Sequence, residues 1–177
     1  VQILLERLTE YHIELFRYWS EIGADGIFFG DDVGCQRSMM FSADMWRKIL
    51  RPHYKKIFDD IHRCGMEVIF HSCGNVMDII PDLIDLGVDV LDPIQPVAMD
   101  AREIARRFGG KIAFYGGIND QELANWTPQQ VKDEVRRMID TVGKPFGNAY
   151  MIAPANVLTP EIPLKNLRAF CEACHQQ

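Results

Sequence analysis

The chain has 177 residues, of which 47% are hydrophobic, and these values fit a globular protein with an apolar core. The net charge of −6 argues against a general nucleic-acid binder, because phosphates would meet no basic face. No apolar run approaches the roughly 18–20 residues of a membrane span. The five cysteines, an odd number without a secretory pattern, predict reduced thiols and a cytoplasmic location.

The first third of the chain is predicted to contain two long helical segments around a short strand. Apolar residues recur at helical spacing over 3–22. Residues 26–30 (GIFFG) are an apolar run of the kind that is buried on both faces in a parallel sheet. A second helical segment begins after Ser42, which can cap it, and runs to Gly65. Pro52 is expected to kink or split this segment.

From residue 67 onward, short apolar strands alternate with helical segments. Further strands are predicted at 67–71, 88–92, 111–115 and 148–153. Helices are predicted at 76–86, 100–108, 119–125, from 127 onward and at 163–174. Strands that alternate with helices indicate βαβ units and a parallel α/β sheet. A full (β/α)8 barrel needs about 250 residues, so five units predict the last five-eighths of one, as a single domain over 1–177.

Polar or glycine-containing clusters follow the predicted strands. They are Asp31-Asp32, His71-Ser72-Cys73, Asp92-Pro93, Gly116-Gly117 and Pro154-Ala155-Asn156. Active sites of parallel α/β folds lie at the carboxyl ends of the strands, so we expect all these clusters to face one common site.

His71 and Cys73 are the candidate metal ligands. One residue separates them, so on a strand both side chains point the same way and can reach one ion. Imidazole nitrogen and thiolate sulfur are ligands that zinc prefers. Two ligands make only half a site, and the alternative is a strand end that contains a half-buried thiol.

Asp31 and Asp32 are predicted to be catalytic. A carboxylate at this position can orient a substrate, bind a metal or act as a general base, whereas the alternative is an aspartate pair that caps a loop. We favour a functional role, because two acids that end an apolar strand without a nearby lysine are costly. Gln36 and Arg37 are predicted to line the same loop, where Arg37 can bind a substrate carboxylate through two hydrogen bonds.

Other polar positions carry weaker predictions. Gln95 is a candidate substrate contact, and so are Gly116 and Gly117, which let the backbone approach a ligand or simply form a tight turn. A CxxC pair at 171–174 with His175 is expected to lie on the terminal helix and not to hold a metal. The remaining histidines, at positions 12, 53 and 62, are expected to lie solvated on helix surfaces.

Seven segments of the chain resemble the C-terminal part of the uroporphyrinogen decarboxylase superfamily, in the same order. They are GDDVGCQ at 30–36, RPHYKKIFDDIH at 51–62, FHSCGNV at 70–76, DPIQP at 92–96, FYGGINDQEL at 114–123, TPQQVKDEV at 127–135 and APANVLTPEIPLKNL at 153–167. The resemblance implies a (β/α)8 barrel of about twice this length, of which the first three strands are absent from this chain. The opening Val1-Gln2, without a methionine, likewise predicts a piece of a longer protein.

The superfamily has two functional branches, and the resemblance favours one of them. The decarboxylases remove acetate carboxyls from a tetrapyrrole without a cofactor. The other branch consists of zinc-dependent methyltransferases, whose ligands are a histidine and a cysteine in an H-x-C motif and a second cysteine in the last strand's loop. His71-Ser72-Cys73 fits that motif. The resemblance therefore implies a methyltransferase that moves a methyl group between a corrinoid, or a small methyl donor, and a thiol-type acceptor, by attack of a zinc-bound thiolate.

One position departs from the motifs of both branches. Asn156 stands where the methyltransferases carry their second cysteine and the decarboxylases a histidine, and an amide oxygen is a poor zinc ligand. The third ligand is then Asp31, Asp32 or Cys35, and Asn156 is predicted to contact substrate. Two alternatives stay open, a uroporphyrinogen decarboxylase and a non-catalytic module that binds a corrinoid or tetrapyrrole. Expected partners are a corrinoid protein and a second chain, as a homodimer or through the open barrel edges.

Overall fold

The computed structural model describes residues 1–147 and 149–176, which form two compact units, Val1–Leu91 and Asp92–Gln177. The first unit contains the following elements: α1 Gln2–Glu21, β1 Gly26–Gly30, α2 Ala43–Ile49, α3 Arg51–Arg63, β2 Glu67–His71 and α4 Ile80–Asp85. Strand β3, Val90–Ile94, crosses the boundary between the units. The second unit contains α5 Ala101–Phe108, β4 Ala113–Ile118, α6 Asp120–Leu123, α7 Pro128–Met138, β5 Tyr150–Pro154 and α8 Leu164–His175.

Parallel strands alternate with helices, which confirms the predicted α/β class. In the first unit β1 pairs with β2, with Gly30 opposite His71, and in the second unit β4 pairs with β5. None of the helices in the described residues is both long enough and apolar enough to cross a membrane.

The predicted split of the second helical segment is confirmed. The backbone is helical up to Ile49 and again from Arg51, with Pro52 in the first turn of α3. Proline has no backbone N–H, so it is tolerated in a first turn but not in a helix interior. Ser42 caps α2 as predicted, because its side chain accepts a hydrogen bond from the Met45 amide at 3.2 Å.

The prediction that β1 is buried on both faces is wrong. Ile27 and Phe29 are buried, but Phe28 is 61% exposed. Side chains alternate across a strand, and only the face with Ile27 and Phe29 is covered by the helices of this unit. Phe29 packs edge-on against Tyr54 and Phe58 of α3, with ring centroids 5.3 Å apart in both pairs.

Helix α1 is fixed to α3 by polar contacts as well as by packing. Arg17 donates two hydrogen bonds to Asp60, at 2.9 and 2.6 Å. Thr9 and the His53 ring lie 2.8 Å apart, between Oγ1 and Nδ1. His53 is therefore buried, and the prediction of a solvated surface histidine is wrong for it. His12 is only half-buried and stacks on Phe16, whereas His62 is exposed beside Asp89.

Helix α4 and strand β4 are among the elements whose bounds differ from the prediction. Helix α4 begins at Ile80 instead of residue 76, because the Asn75 side chain accepts from the Met77 amide at 3.1 Å and holds a turn there. Strand β4 extends to Ile118, so Gly116 and Gly117 lie inside a strand, with φ of +94° and +91°.

In the second unit the loop between α6 and α7 is bound to α8. Thr127 and Gln130 form a capping box at the start of α7. The buried Asn166 side chain donates to the carbonyls of Leu123 and Trp126, at 2.8 and 2.7 Å. A single side chain thus satisfies two backbone acceptors of that loop.

Candidate metal centre

The loops that follow β1 and β2 pack against each other through two glycines. A Cβ on Gly34 would lie 2.5 Å from the Cys73 carbonyl oxygen, and a Cβ on Gly74 would lie 2.6 Å from the Gly34 carbonyl carbon. The Asn75 amide donates to the Cys35 carbonyl at 2.7 Å. Gly74 also has a φ of +81°, which favours glycine. The two loops can approach this closely only because neither position carries a side chain.

Ser72 fixes the residues on either side of it. It is fully buried, and its hydroxyl oxygen accepts a hydrogen bond from the Val33 amide at 3.1 Å. Because side chains alternate along an extended chain, burial of Ser72 turns His71 and Cys73 to the opposite face.

Asp32, His71 and Cys73 meet on that face. The Asp32 carboxylate lies 3.7 Å from His71 Nε2, and Cys73 Sγ lies 3.7 Å from the same nitrogen. All three ligand atoms lie within 4.8 Å of one another. The Cys73 amide donates to Asp32 at 2.7 Å and holds this carboxylate beside the other two groups. Of the side chains that the structure describes, these are the ones that bring three such ligand atoms together.

Two of the three ligand-atom separations are close to those around a tetrahedral zinc ion, and the third is at most 4.8 Å. Zinc lies about 2.0–2.2 Å from nitrogen and carboxylate oxygen and about 2.3 Å from sulfur, which places tetrahedral ligand atoms roughly 3.3–3.6 Å apart. The two separations of 3.7 Å are close to that range. One thiolate, one carboxylate and one neutral imidazole carry a charge of −2 together, which balances a divalent cation. Asp32 keeps this balance as a second cysteine would, with a harder donor atom.

Asp31 lies on the other face of the strand end. Its carboxylate accepts a hydrogen bond from the Tyr54 hydroxyl. Burial, and next the nearby Asp31 charge, raise the pKa of Tyr54 well above its usual value, so this phenol remains protonated. Burial also lowers the pKa of His12, which Asp31 partly opposes. The structure therefore separates the predicted pair of acids, and only Asp32 joins the histidine and cysteine.

The other predicted residues of the first unit lie in the exposed loop after β1. Cys35, Gln36 and Arg37 are exposed there. The Arg37 carbonyl accepts a hydrogen bond from the Asn75 side chain at 3.5 Å. Cys35 does not belong to the cluster of three ligand atoms.

The predicted residues of the second unit are held by local backbone contacts. The Gln95 carbonyl accepts from the amides of Ala98 and Met99, both at 2.9 Å. A Cβ on Gly116 would lie 2.8 Å from Pro93 Cβ, and a Cβ on Gly117 would collide with the Tyr150 hydroxyl. Both glycines are thus explained by packing within the unit.

Asn156 and the terminal CxxC segment both make contacts with nearby backbone groups. Asn156 is exposed, and its side-chain oxygen accepts from the Val157 amide at 2.7 Å. On α8 the His175 ring lies 2.8 Å from the Cys171 carbonyl. Burial is the main reason why the pKa of Cys174 is raised.

Sequence reasoning missed two residues at the end of β1, one on each face. Phe28 packs against His71, with ring centroids 5.3 Å apart and planes tilted by 35°. Tyr54 holds Asp31 from α3. Alternation along β1 could have assigned Phe28 to the same face as Asp32, whereas the contact of Tyr54 depends on how α3 crosses the sheet.

Comparison with known proteins places the chain in a family. A family model described as uroporphyrinogen decarboxylase (URO-D) matches residues 1–177. The methylcobamide:CoM methyltransferase of Methanosarcina barkeri is 26% identical over 96% of this chain and 47% of its own. The uroporphyrinogen decarboxylase of Thermus thermophilus is 28% identical over 96% of this chain and 46% of its own.

A solved structure, a methyltransferase from Methanosarcina mazei, has the same fold. It superimposes with a TM-score of 0.74 at 24% identity, over 95% of this chain and 47% of that chain. The present chain spans about half the length of the proteins that it matches.

Proposed function

The chain belongs to the uroporphyrinogen decarboxylase family, and from this premise we propose that it carries the metal centre of a zinc-assisted methyltransferase. The proposed reaction moves a methyl group between a corrinoid, or a small methyl donor, and a thiol-type acceptor. In this proposal the protein acts in the cytoplasm, residues 1–177 fold as one domain, and a partner protein delivers the corrinoid.

The convergence of Asp32, His71 and Cys73 carries the proposal. Their three ligand atoms lie within 4.8 Å of one another and comprise the donor types that zinc accepts. His71 and Cys73 have the H-x-C spacing that the resemblance associates with methyltransferases. The name of the Methanosarcina barkeri relative, a methylcobamide:CoM methyltransferase, supports the same branch.

In the proposed site Asp32 takes the part of the second cysteine, for which this chain has Asn156. Zinc held there would lower the pKa of a thiol, so that the thiolate exists near neutral pH. The residues around the cluster orient its ligands: the Cys73 amide holds the Asp32 carboxylate, and the Phe28 ring supports the His71 imidazole. The side chains of His71 and Asp32 are 27% and 56% exposed, so a reactant can approach the cluster from solvent.

The proposed substrate contacts remain those predicted from sequence. Arg37 offers a planar guanidinium that can bind an anionic acceptor through two hydrogen bonds, with Gln36 beside it. Gln95, Gly116, Gly117 and Asn156 also stay proposed as substrate contacts.

A decarboxylase is the second candidate, because the Thermus thermophilus relative, at 28% identity, is a uroporphyrinogen decarboxylase. In that reaction an aspartate would stabilise a protonated pyrrole. Asp31 is engaged by Tyr54, so Asp32 is the better candidate for that role. A non-catalytic module that binds a corrinoid or tetrapyrrole is the third candidate.

Metal analysis of the purified protein tests the first proposal. We expect about one zinc per chain, with affinity lowered by about two orders of magnitude in Asp32→Asn and Cys73→Ser, since outer partners of metal ligands alone account for about 10–100-fold. Cys171→Ser is the matched control, because Cys171 is an exposed cysteine on α8. Cobalt substitution adds a spectroscopic measurement, a sulfur-to-metal absorption band that Cys73→Ser loses and Cys171→Ser retains.

Turnover assays separate the three candidates. Methyl transfer from methylcobalamin to a thiol, dependent on zinc and on Cys73, would support the methyltransferase. Conversion of uroporphyrinogen by protein without zinc would instead identify a decarboxylase. Tight corrinoid binding without bound zinc and without turnover would support the non-catalytic binding module.

A further inference from the structure

Two cysteines lie on one face of the C-terminal end of α8. Cys171 and Cys174 are three residues apart within the helix, which runs from Leu164 to His175. A rise of about 1.5 Å per residue and a radius of about 2.3 Å bring the Cα atoms of such a pair to about 5 Å. Their side chains are therefore neighbours on the helix surface. Burial, and next the nearby Cys171 thiolate, raise the pKa of Cys174, which agrees with two adjacent sulfurs.

This end of α8 is attached to its surroundings while one of the thiols faces solvent. Lys132 of α7 forms an ion pair with Glu172 at 2.6 Å, and the His175 ring lies 2.8 Å from the Cys171 carbonyl, between Nδ1 and oxygen. Cys171 is exposed, whereas Cys174 is half-buried. A ligand can therefore reach the pair from solvent, and the helix sets the spacing of the two Cβ atoms.

The helical spacing is too wide for a disulfide. Cβ atoms of residues three apart in a helix are about 5–6 Å from each other, whereas a disulfide requires about 3.5–4.5 Å. A metal ion between the two sulfurs removes this conflict. With metal–sulfur distances of about 2.3 Å, two sulfurs on opposite sides of one ion lie up to about 4.6 Å apart. The intact helix thus favours a bridging ion over an S–S bond.

The number of available ligands selects the class of ion. Within the described part of the chain, no carboxylate or imidazole joins Cys171 and Cys174 to make a group of three ligand atoms within 4.8 Å. Zinc requires at least three protein ligands, which explains why the sequence gave no reason to expect zinc here. Soft monovalent cations such as Cu(I) select thiolates, and two thiolates in a linear arrangement satisfy them.

We propose that Cys171 and Cys174 bind one soft monovalent cation of the Cu(I) class between their two thiolates. The ion forms two metal–sulfur bonds, the thiol protons are released to solvent, and no electron is transferred. This thiol pair shares no ligand with the cluster of Asp32, His71 and Cys73. The inference therefore does not rest on the proposed methyl transfer.

Competition with a coloured Cu(I) chelator, bicinchoninate, tests the proposal. The full chain with Cys73→Ser, which removes the thiol of the other cluster, is titrated with Cu(I) without oxygen. We expect about one Cu(I) per chain. Cys171→Ser and Cys174→Ser should each lower the affinity about 100-fold or more, because linking two binding groups raises affinity by about 10²–10⁴. Cys64→Ser is the matched control, since Cys64 is another half-buried cysteine at a helix end.

X-ray absorption at the copper edge identifies the ligand atoms. We expect two sulfur neighbours and no nitrogen neighbour, and an unchanged spectrum in His175→Gln, because the His175 ring is engaged with the Cys171 carbonyl. A nitrogen neighbour that His175→Gln removes would contradict the two-thiolate site.

Three further results would overturn the site. One is unchanged Cu(I) affinity in Cys171→Ser, whose substitution lies at an exposed position and leaves the fold measurable by circular dichroism. Another is an equal loss of affinity in Cys64→Ser. The third is a Cys171–Cys174 disulfide that glutathione disulfide forms without loss of helical signal, which would assign the pair to redox chemistry. Zinc binding at the other cluster is measured without copper, so the two proposals can fail independently.

Discussion

Asp31 and Asp32 are consecutive residues, yet their carboxylates serve opposite faces of the end of β1. Asp31 accepts a hydrogen bond from Tyr54, behind the sheet, whereas Asp32 accepts one from the Cys73 amide at 2.7 Å. This division follows from strand alternation. It gives one acid a structural partner and the other a place beside an imidazole and a thiol.

Substitution of the two acids should have opposite effects. We expect Asp32→Asn to abolish most zinc affinity while it changes the free energy of unfolding of the metal-free protein by less than about 1 kcal/mol, because its side chain is 56% exposed. Asp31→Asn should leave zinc affinity nearly unchanged and lower that free energy. Titration calorimetry and urea unfolding measure the two quantities. Equal loss of zinc in both variants would contradict the division.

The hydroxyl of Tyr54 should matter for stability. Tyr54→Phe leaves the half-buried Asp31 carboxylate without this donor, and we expect a loss of about 1–3 kcal/mol in the free energy of unfolding. The double variant Asp31→Asn/Tyr54→Phe should lose less than the sum of the two single variants, since the residues are in contact. Additive losses in urea unfolding would show that the contact contributes nothing.

The glycine contact between the two loops should not tolerate a methyl group. Gly34→Ala places a Cβ 2.5 Å from the Cys73 carbonyl oxygen, so the H-x-C loop must shift. We expect a loss of more than about 1 kcal/mol in stability together with weaker zinc binding. Gly30→Ala is the control, because a Cβ there has nothing within 4 Å. A Gly34→Ala variant with unchanged zinc affinity would mean that this contact does not position the ligands.

The half-buried His12 should make stability depend on pH. Its pKa is lowered from 6.5, mainly by burial, so the folded state binds the proton less readily than the unfolded state does. Its contribution is complete above about pH 6.5 and is lost as the pH falls through the lower, folded value. We expect His12→Gln to flatten the fall in unfolding free energy between about pH 7 and 5. His175→Gln, at an exposed position of α8, should leave the slope unchanged.

The sequence predicted what depends on local periodicity and missed what depends on packing. The break between α2 and α3 was predicted correctly from Pro52, because the missing backbone N–H of proline affects only the helical turn in which it lies. The same alternation that brings His71 and Cys73 to one face also separates Asp31 from Asp32, a conclusion that was available from the sequence. The exposure of Phe28 could not be predicted, because it depends on what covers that face of β1.

Contacts between distant segments set the remaining differences. His53 looked like a surface residue of α3, but the Thr9 hydroxyl from α1 makes its burial favourable. The spacing of apolar residues predicts that each of the two residues lies on a helix, but it does not predict that these two helices pack against each other. Alternation already separates Asp31 from Asp32, whereas the choice between Asp32 and Cys35 depends on how the two loops pack through Gly34 and Gly74.

The attachment of α1 to α3 has a thermodynamic consequence for any partner. Arg17 holds Asp60 through two hydrogen bonds near one end of the helix, and Thr9 contacts His53 near its middle. The conformational entropy of this helix is therefore lost when the chain folds and not when a partner binds. Association then requires little further immobilisation on this side, and more of the free energy of apolar burial is retained as affinity.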